Sequence, residues 1–109
     1  MNSQAETRRE FEQARSAPIE QRYVLQLFIS GASPISFQAI TNLKKICQEH
    51  LAGRHELQII DIYQQPQLAF DEQVAAAPML IKRLPFPLRR LIGNFSNTNQ
   101  TLSSLGLNP

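Results

Sequence analysis

Apolar positions enter the chain in force at Tyr23. Tyr-Val-Leu-Gln-Leu-Phe-Ile-Ser is rich in β-branched and aromatic residues and nearly apolar on both faces, as a central strand is. Gly31 breaks it. Ser33 followed by Pro34 then predicts a helix start, with Ser33 at the N-cap and Pro34 at N1, where a missing N–H costs nothing. Phe37, Ile40, Leu43, Cys47 and Leu51 recur at three- and four-residue steps with Ile46 beside them, so they are expected to form the buried face of that helix. Gln38, Asn42, Lys45 and Glu49 fall opposite, and Gly53 closes the element. Glu56 to Tyr63 predicts a second strand with Leu57, Ile59, Ile60 and Ile62 inward. Two apolar strands joined by a helix make a βαβ unit with parallel strands and a right-handed crossover.

The second half is punctuated by proline. Gln65-Pro66 resets the chain, and Gln67 to Ala76 predicts a short helix with Leu68, Phe70 and Val74 apolar and Asp71 and Glu72 facing solvent. Met79 to Leu84 reads as a strand, Leu88 to Phe95 as another, and Asn97 to Leu105 as a last helix closed by Gly106. That order, βαβαββα, is the thioredoxin-like arrangement. Leu88 to Ile92 fits helical spacing equally well, with Pro87 at N1, so periodicity leaves this segment open between strand and helix. Pro78, Pro85 and Pro87 exclude one continuous helix or central strand across it. Ahead of the domain, residues 1–22 carry four Arg and four Glu around a lone aromatic, Phe11. They are expected to form a flexible or loosely docked extension, leaving residues 23–109 as the single domain.

Composition narrows the function classes. The net charge of +2 is too small to announce a nucleic-acid binder, but its distribution is lopsided. Beyond Glu72 there are four cations, Lys82, Arg83, Arg89 and Arg90, and no acid. Interleaved with apolar side chains, they fit an interface with something negative: an acidic protein surface, phosphates or anionic lipid. No glycine-rich phosphate loop or RNA-binding signature supports phosphates, and no apolar run reaches the roughly 20 residues of a membrane span. A protein partner is therefore the expectation, with no nucleic acid and no membrane, in the cytoplasm.

Catalytic chemistry finds little support. A thioredoxin-like order invites a dithiol, yet the loop Ser30 to Ser36 has no cysteine, and the chain's one cysteine, Cys47, lies on the apolar helix face. His50 and His55 flank the helix end, where a contact with its C-terminal dipole explains them better than metal binding or acid–base work. Asp61 reads as a strand-end residue reaching solvent. Ala77-Pro78 stands where thioredoxin-like folds carry a cis-proline, and sequence leaves the isomer open. No enzyme activity, cofactor or metal is expected.

Three stretches resemble the KaiB family of circadian clock proteins from cyanobacteria. They are Tyr23 to Pro34, Leu57 to Ala69, and Ala77-Pro-Met-Leu-Ile-Lys-Arg-Leu-Pro-Phe-Pro-Leu-Arg-Arg-Leu-Ile-Gly-Asn-Phe-Ser-Asn97, in one register through about Leu107. The resemblance implies a non-enzymatic regulator that binds the N-terminal ATPase ring of a KaiC-type protein, modulates its phosphorylation cycle and helps sequester a KaiA-type protein. It also implies a metamorphic fold, with a self-associated ground state (a tetramer or dimer) and a monomeric thioredoxin-like form that binds the partner. On it, Lys82, Arg83, Arg89 and Arg90 are expected to meet the partner. Tyr23, Pro78, Pro85, Pro87, Ser104 and Gly106 are expected to influence the balance of folds. Departures are Gln38 where the family has a basic residue, and Ser103-Ser104-Leu105-Gly106-Leu107-Asn108 in place of its usual ending. They leave an alternative, a KaiB-like binding or chaperone-like module acting outside the core clock.

Overall fold

The computed structural model describes residues 22–107. Its elements are β1 (Tyr23–Ile29), α1 (Pro34–His50), β2 (His55–Asp61), α2 (Pro66–Asp71), β3 (Met79–Leu84), β4 (Arg89–Ile92) and α3 (Thr98–Ser104). The four strands form one sheet in the order β2-β1-β3-β4. β1 is central and runs parallel to β2, while β3 is antiparallel to both β1 and β4. The strand alternative for residues 88–92 is therefore the one adopted, and the order is the thioredoxin-like βαβαββα. The extension expected over residues 1–22 lies, but for Arg22, outside the described residues.

Alternation along the strands sorts side chains onto two faces. Tyr23, Leu25 and Leu27 of β1 and Leu80 of β3 point to the face covered by α1 and α3, where Ala39, Leu43, Ile46, Cys47, Phe95 and Leu102 complete the main core. Phe28, Ile60, Met79 and Ile81 point the other way, under Leu68 and Val74. α2 is one short helix over one end of that second face.

Helix ends follow the sequence signals. The Ser33 side chain accepts a bond from the Ser36 amide, with Pro34 in the first turn. α3 closes in a Schellman turn: Leu107 N–H donates to the Leu102 carbonyl (2.8 Å) and Gly106 N–H to that of Ser103 (3.0 Å). Gly106 supplies the left-handed φ of +80° that the turn needs.

Several expectations are corrected. Phe37 is 58% exposed, and the buried face of α1 runs through Ser36, Ala39, Leu43, Ile46 and Cys47 instead. Ser36 takes the inward place because its hydroxyl accepts from Ser30 N–H and from the Ser33 hydroxyl, which turns Phe37 outward. Of the apolar residues in the second strand only Ile60 is fully buried, because β2 is an edge. α2 stops at Asp71 rather than Ala76, since Gln73 takes a positive φ of 56°. β4 stops at Ile92 rather than Phe95. Gly93 (φ 135°) and Phe95 (φ 60°) leave strand geometry, and Phe95 drops into the main core. Two bonds hold that irregular turn to α1: Asn42 Nδ2 to the Asn94 carbonyl (2.8 Å) and Asn94 Nδ2 to Gln38 Oε1 (3.0 Å). Gln38, standing where a cation was expected, is thus a structural acceptor.

Candidate functional site: the basic hairpin

β3 and β4 form a hairpin whose connection, Pro85-Phe86-Pro87-Leu88, is almost entirely apolar. Lys82 pairs with Arg89 and Ile81 with Arg90 across it. Directly opposed residues share a face, so Lys82 and Arg89 lie on the α1/α3 side and Arg90 on the α2 side, with Arg83 beyond Ile81. Four cations that are consecutive or nearly so in sequence are therefore divided between two surfaces.

Their environments differ sharply. Lys82 is only 3% exposed. Among the described residues no hydrogen bond or ion pair meets its ammonium, and no fully buried side-chain nitrogen or oxygen lacks a partner, so the tip reaches solvent past a buried stem. Burial lowers its pKa below the ordinary lysine value, and the Arg89 charge lowers it further. Arg83 is engaged internally: its guanidinium ion-pairs with Glu72, and its Nε donates to Gln26 Oε1 (2.7 Å). Gln26 in turn donates to Gln58 Oε1 (3.0 Å). Arg90 donates to the Glu72 carbonyl (2.8 Å) and to Met79 Sδ (3.7 Å). A polar chain thus crosses all four strands on the second face and ties them to the end of α2. Arg89 is exposed and has no such bond among the described residues.

The expectation that Glu72 faces solvent is corrected by this contact. It failed because the sequence shows no reason for residue 72 to meet residue 83; the approach depends on α2 ending early. Glu72 occupies two of the four cations, and Arg89 remains the most available.

The residues expected to influence the fold balance divide into two groups. Tyr23 O–H donates to the Leu105 carbonyl (3.1 Å), between Ser104 and Gly106, so three of them meet at the end of α3. Burial raises the Tyr23 phenol pKa against the opposing pull of the Arg54 guanidinium, which lies 5.4 Å from the ring centroid. Pro85 and Pro87 lie at the same end of the sheet, since Leu84 pairs with Val24. Pro78 is buried at the far end of β3, and the Ala77–Pro78, Leu84–Pro85 and Phe86–Pro87 bonds are cis.

That far end is where a thioredoxin-like fold would place a dithiol. The loop there holds three serines, with Ser33 and Ser36 hydroxyls 2.8 Å apart and Ser30 within 3.4 Å of both. Asp61 Oδ1 accepts from Gly31 N–H (3.2 Å) and Tyr63 N–H (2.9 Å), so it braces this loop rather than simply reaching solvent. A Cβ at Gly31 would meet the Tyr63 ring at 3.3 Å, which together with its φ of 62° explains the glycine. Cys47 is buried on α1, and dithiol exchange needs a second thiol that this chain does not contain. His55 Nδ1 lies 2.8 Å from the Leu51 carbonyl at the end of α1, as a dipole contact requires. Among the described residues no three His, Cys, Asp or Glu side chains gather as metal ligands, and no helix is long and apolar enough to cross a membrane.

The KaiB domain family matches residues 26–107, which include the whole hairpin. The chain belongs to the KaiB family of circadian clock proteins. It is 48% identical over 88 residues to the circadian clock protein KaiB3 of Synechocystis sp., covering 81% of this chain and 86% of that one. Among solved structures it is similar to the N-terminal domain of Synechococcus elongatus SasA, with a TM-score of 0.65 and 28% identity over 83% of this chain and 89% of that one. Mitochondrial thioredoxin 3 of Saccharomyces cerevisiae superposes with a TM-score of 0.63 at 19% identity, covering 82% and 83% of the two chains, and shares the fold alone. The family is regulatory, and likeness to thioredoxin establishes no catalysis here.

Proposed function

We propose that this KaiB-family chain is a non-enzymatic regulator that binds the N-terminal ATPase ring of a KaiC-type protein and modulates its phosphorylation cycle. The observation that carries this reading is the hairpin itself. It lies wholly within the family match, and it bears Lys82, Arg83, Arg89 and Arg90 in a stretch with no acid after Glu72. Opposite charge on a ring surface would steer encounter and fix register. In this reading a KaiA-type protein joins the assembly, the binding form is the thioredoxin-like monomer described above, and a self-associated ground state exchanges with it. The joint between Tyr23 and the Ser104–Gly106 turn is the contact that such an exchange must break, because it couples the first strand to the last helix. The working place is the cytoplasm, and no cofactor or metal takes part.

Size-exclusion chromatography of the chain with purified KaiC-type proteins in each nucleotide state tests the proposal. The expected result is a co-eluting complex that weakens in the Arg89→Glu, Arg90→Glu double variant while the circular dichroism of the variant stays native. Absence of a complex with every ring in every nucleotide state refutes it. The changed ending, Ser103 to Leu107, supports a second reading, a KaiB-like binding or chaperone-like module outside the core clock. Suppression of client aggregation at stoichiometric amounts without ring binding would favour that one.

A further inference from the structure

The hairpin connection presents an aromatic side chain that the fold leaves unused. Phe86 is 80% exposed, between two prolines that limit how far its backbone can relax toward the core. Leu88, two residues on, is 44% exposed, and Arg89 follows it directly. A strongly exposed phenyl group in water is unfavourable by itself, and a free energy of that kind is recovered when a partner covers it. Interfaces concentrate their binding energy in a few aromatic and arginine side chains, ringed by contacts that exclude water. An exposed Phe three residues from an exposed, unengaged Arg supplies both parts on one proline-flanked turn.

Other exposed aromatic residues lack that setting. Phe70 is 79% exposed, but Asp71 follows it with no cation on its carboxylate among the described residues, and the nearby Arg83 and Arg90 are already held by Glu72. Tyr63 is engaged over Gly31 at the opposite end of the sheet. Phe37 stands on α1 apart from the hairpin cations. Charge complementarity therefore selects Phe86 among the candidates.

We propose that Phe86 is the apolar anchor of the hairpin's partner surface, seated in an apolar socket on an acidic protein surface with Arg89 at the socket's rim. The inference rests on the partner reading given above and adds to it the residue that determines affinity. The two cations that pair across the hairpin then have separate tasks. Arg89 steers the encounter, while Lys82, whose stem is buried, supports the strand from which the tip projects.

The test is the dissociation constant for a purified KaiC-type ring, by fluorescence anisotropy of labelled full-length chain at two salt concentrations, for wild type, Phe86→Ala, Phe86→Trp and Arg89→Glu. Phe86→Ala is expected to weaken binding tenfold or more with an unchanged salt dependence, and Phe86→Trp to keep binding within threefold. Arg89→Glu is expected to weaken binding and flatten the salt dependence. Because Phe86 is exposed, its variants should keep the wild-type thermal midpoint, so loss of binding will not report misfolding. If Phe86→Ala binds like wild type while Arg89→Glu does not, the anchor is overturned and the partner reading survives. If wild type binds no ring, both fall. Wild-type binding to phosphatidylglycerol vesicles that is lost in Phe86→Ala, without ring binding, would reassign the residue to a lipid surface and overturn the proposal.

Discussion

The two faces of the sheet are built on different physics. On the α1/α3 face a dozen buried side chains from two strands, two helices and their ends, and the turn at Phe95 form one contiguous core. On the other face four buried residues sit beneath a six-residue helix, and the remainder of the sheet is spanned by Gln58, Gln26, Arg83 and Glu72 in hydrogen-bonded sequence. Dry packing gains free energy in proportion to area removed from water, whereas partly exposed polar contacts gain little against the solvent they displace. The first face therefore holds the fold together, and the second determines how α2 and the hairpin sit on it.

The difference predicts unequal losses from equal truncations. Leu43→Ala removes a fully buried side chain from the centre of α1 and should cost about 3 kcal/mol in urea unfolding. Leu68→Ala, on the partly buried underside of α2, should cost about 1 kcal/mol and chiefly speed amide exchange in residues 66–74. Equal losses at the two sites would show that the faces are equally packed.

Lys82 lies at the margin of the first face and gives a smaller effect of opposite sign. Its stem is buried and its ammonium, at the solvent margin, is partly desolvated and repelled by Arg89, so Lys82→Met should stabilise the chain by about 1 kcal/mol at neutral pH. Because its folded pKa lies below the ordinary 10.5, the unfolded chain holds the proton more tightly. Wild-type stability should accordingly gain from this group as pH rises from the folded pKa to 10.5, and the advantage of Lys82→Met should shrink over that window. Tyr23 acts in the reverse sense. Its raised pKa favours the folded chain below 10.0, and that contribution is lost as pH rises through the folded value. Both proteins carry Tyr23, so it cancels in the difference. A difference that stays constant up to pH 10.5 would show that Lys82 is not strained by burial.

What the sequence made legible follows the same division. The βαβ half was readable because strand composition, the Ser33-Pro34 cap and the glycine breaks each act locally. α3 and its Gly106 ending were readable for the same reason. The phase of α1 was not, since Phe37 is more apolar than Ser36 and only the loop hydrogen bonds of Ser30 and Ser33 explain why the serine goes inward. Residues 88–92 have the periodicity of a helix and of a strand, and pairing with β3 decides between them. The four cations were visible as a group, but their division into one buried, two occupied by Glu72 and one free depends on strand alternation and on where α2 ends.

Glu72 offers the finest test of the contrast between faces. Its carboxylate pairs with Arg83 while its backbone carbonyl accepts from Arg90, so one residue joins α2 to two strands. The side chains of Arg83 and Glu72 remain 30% and 26% exposed, so the pair is screened, and Glu72→Gln should cost only about 0.5 kcal/mol of global stability. The carbonyl contact survives that substitution. What should change is local: Arg83 loses its charged partner, amide exchange at residues 72–75 should quicken, and the effect should fade in 1 M salt, where the Debye length is about 3 Å. In wild type the same salt should loosen the segment to the level of the variant. A loss above about 2 kcal/mol, or one indifferent to salt, would show that the polar chain on the second face is a true part of the core, and that the two faces are less different than their packing implies.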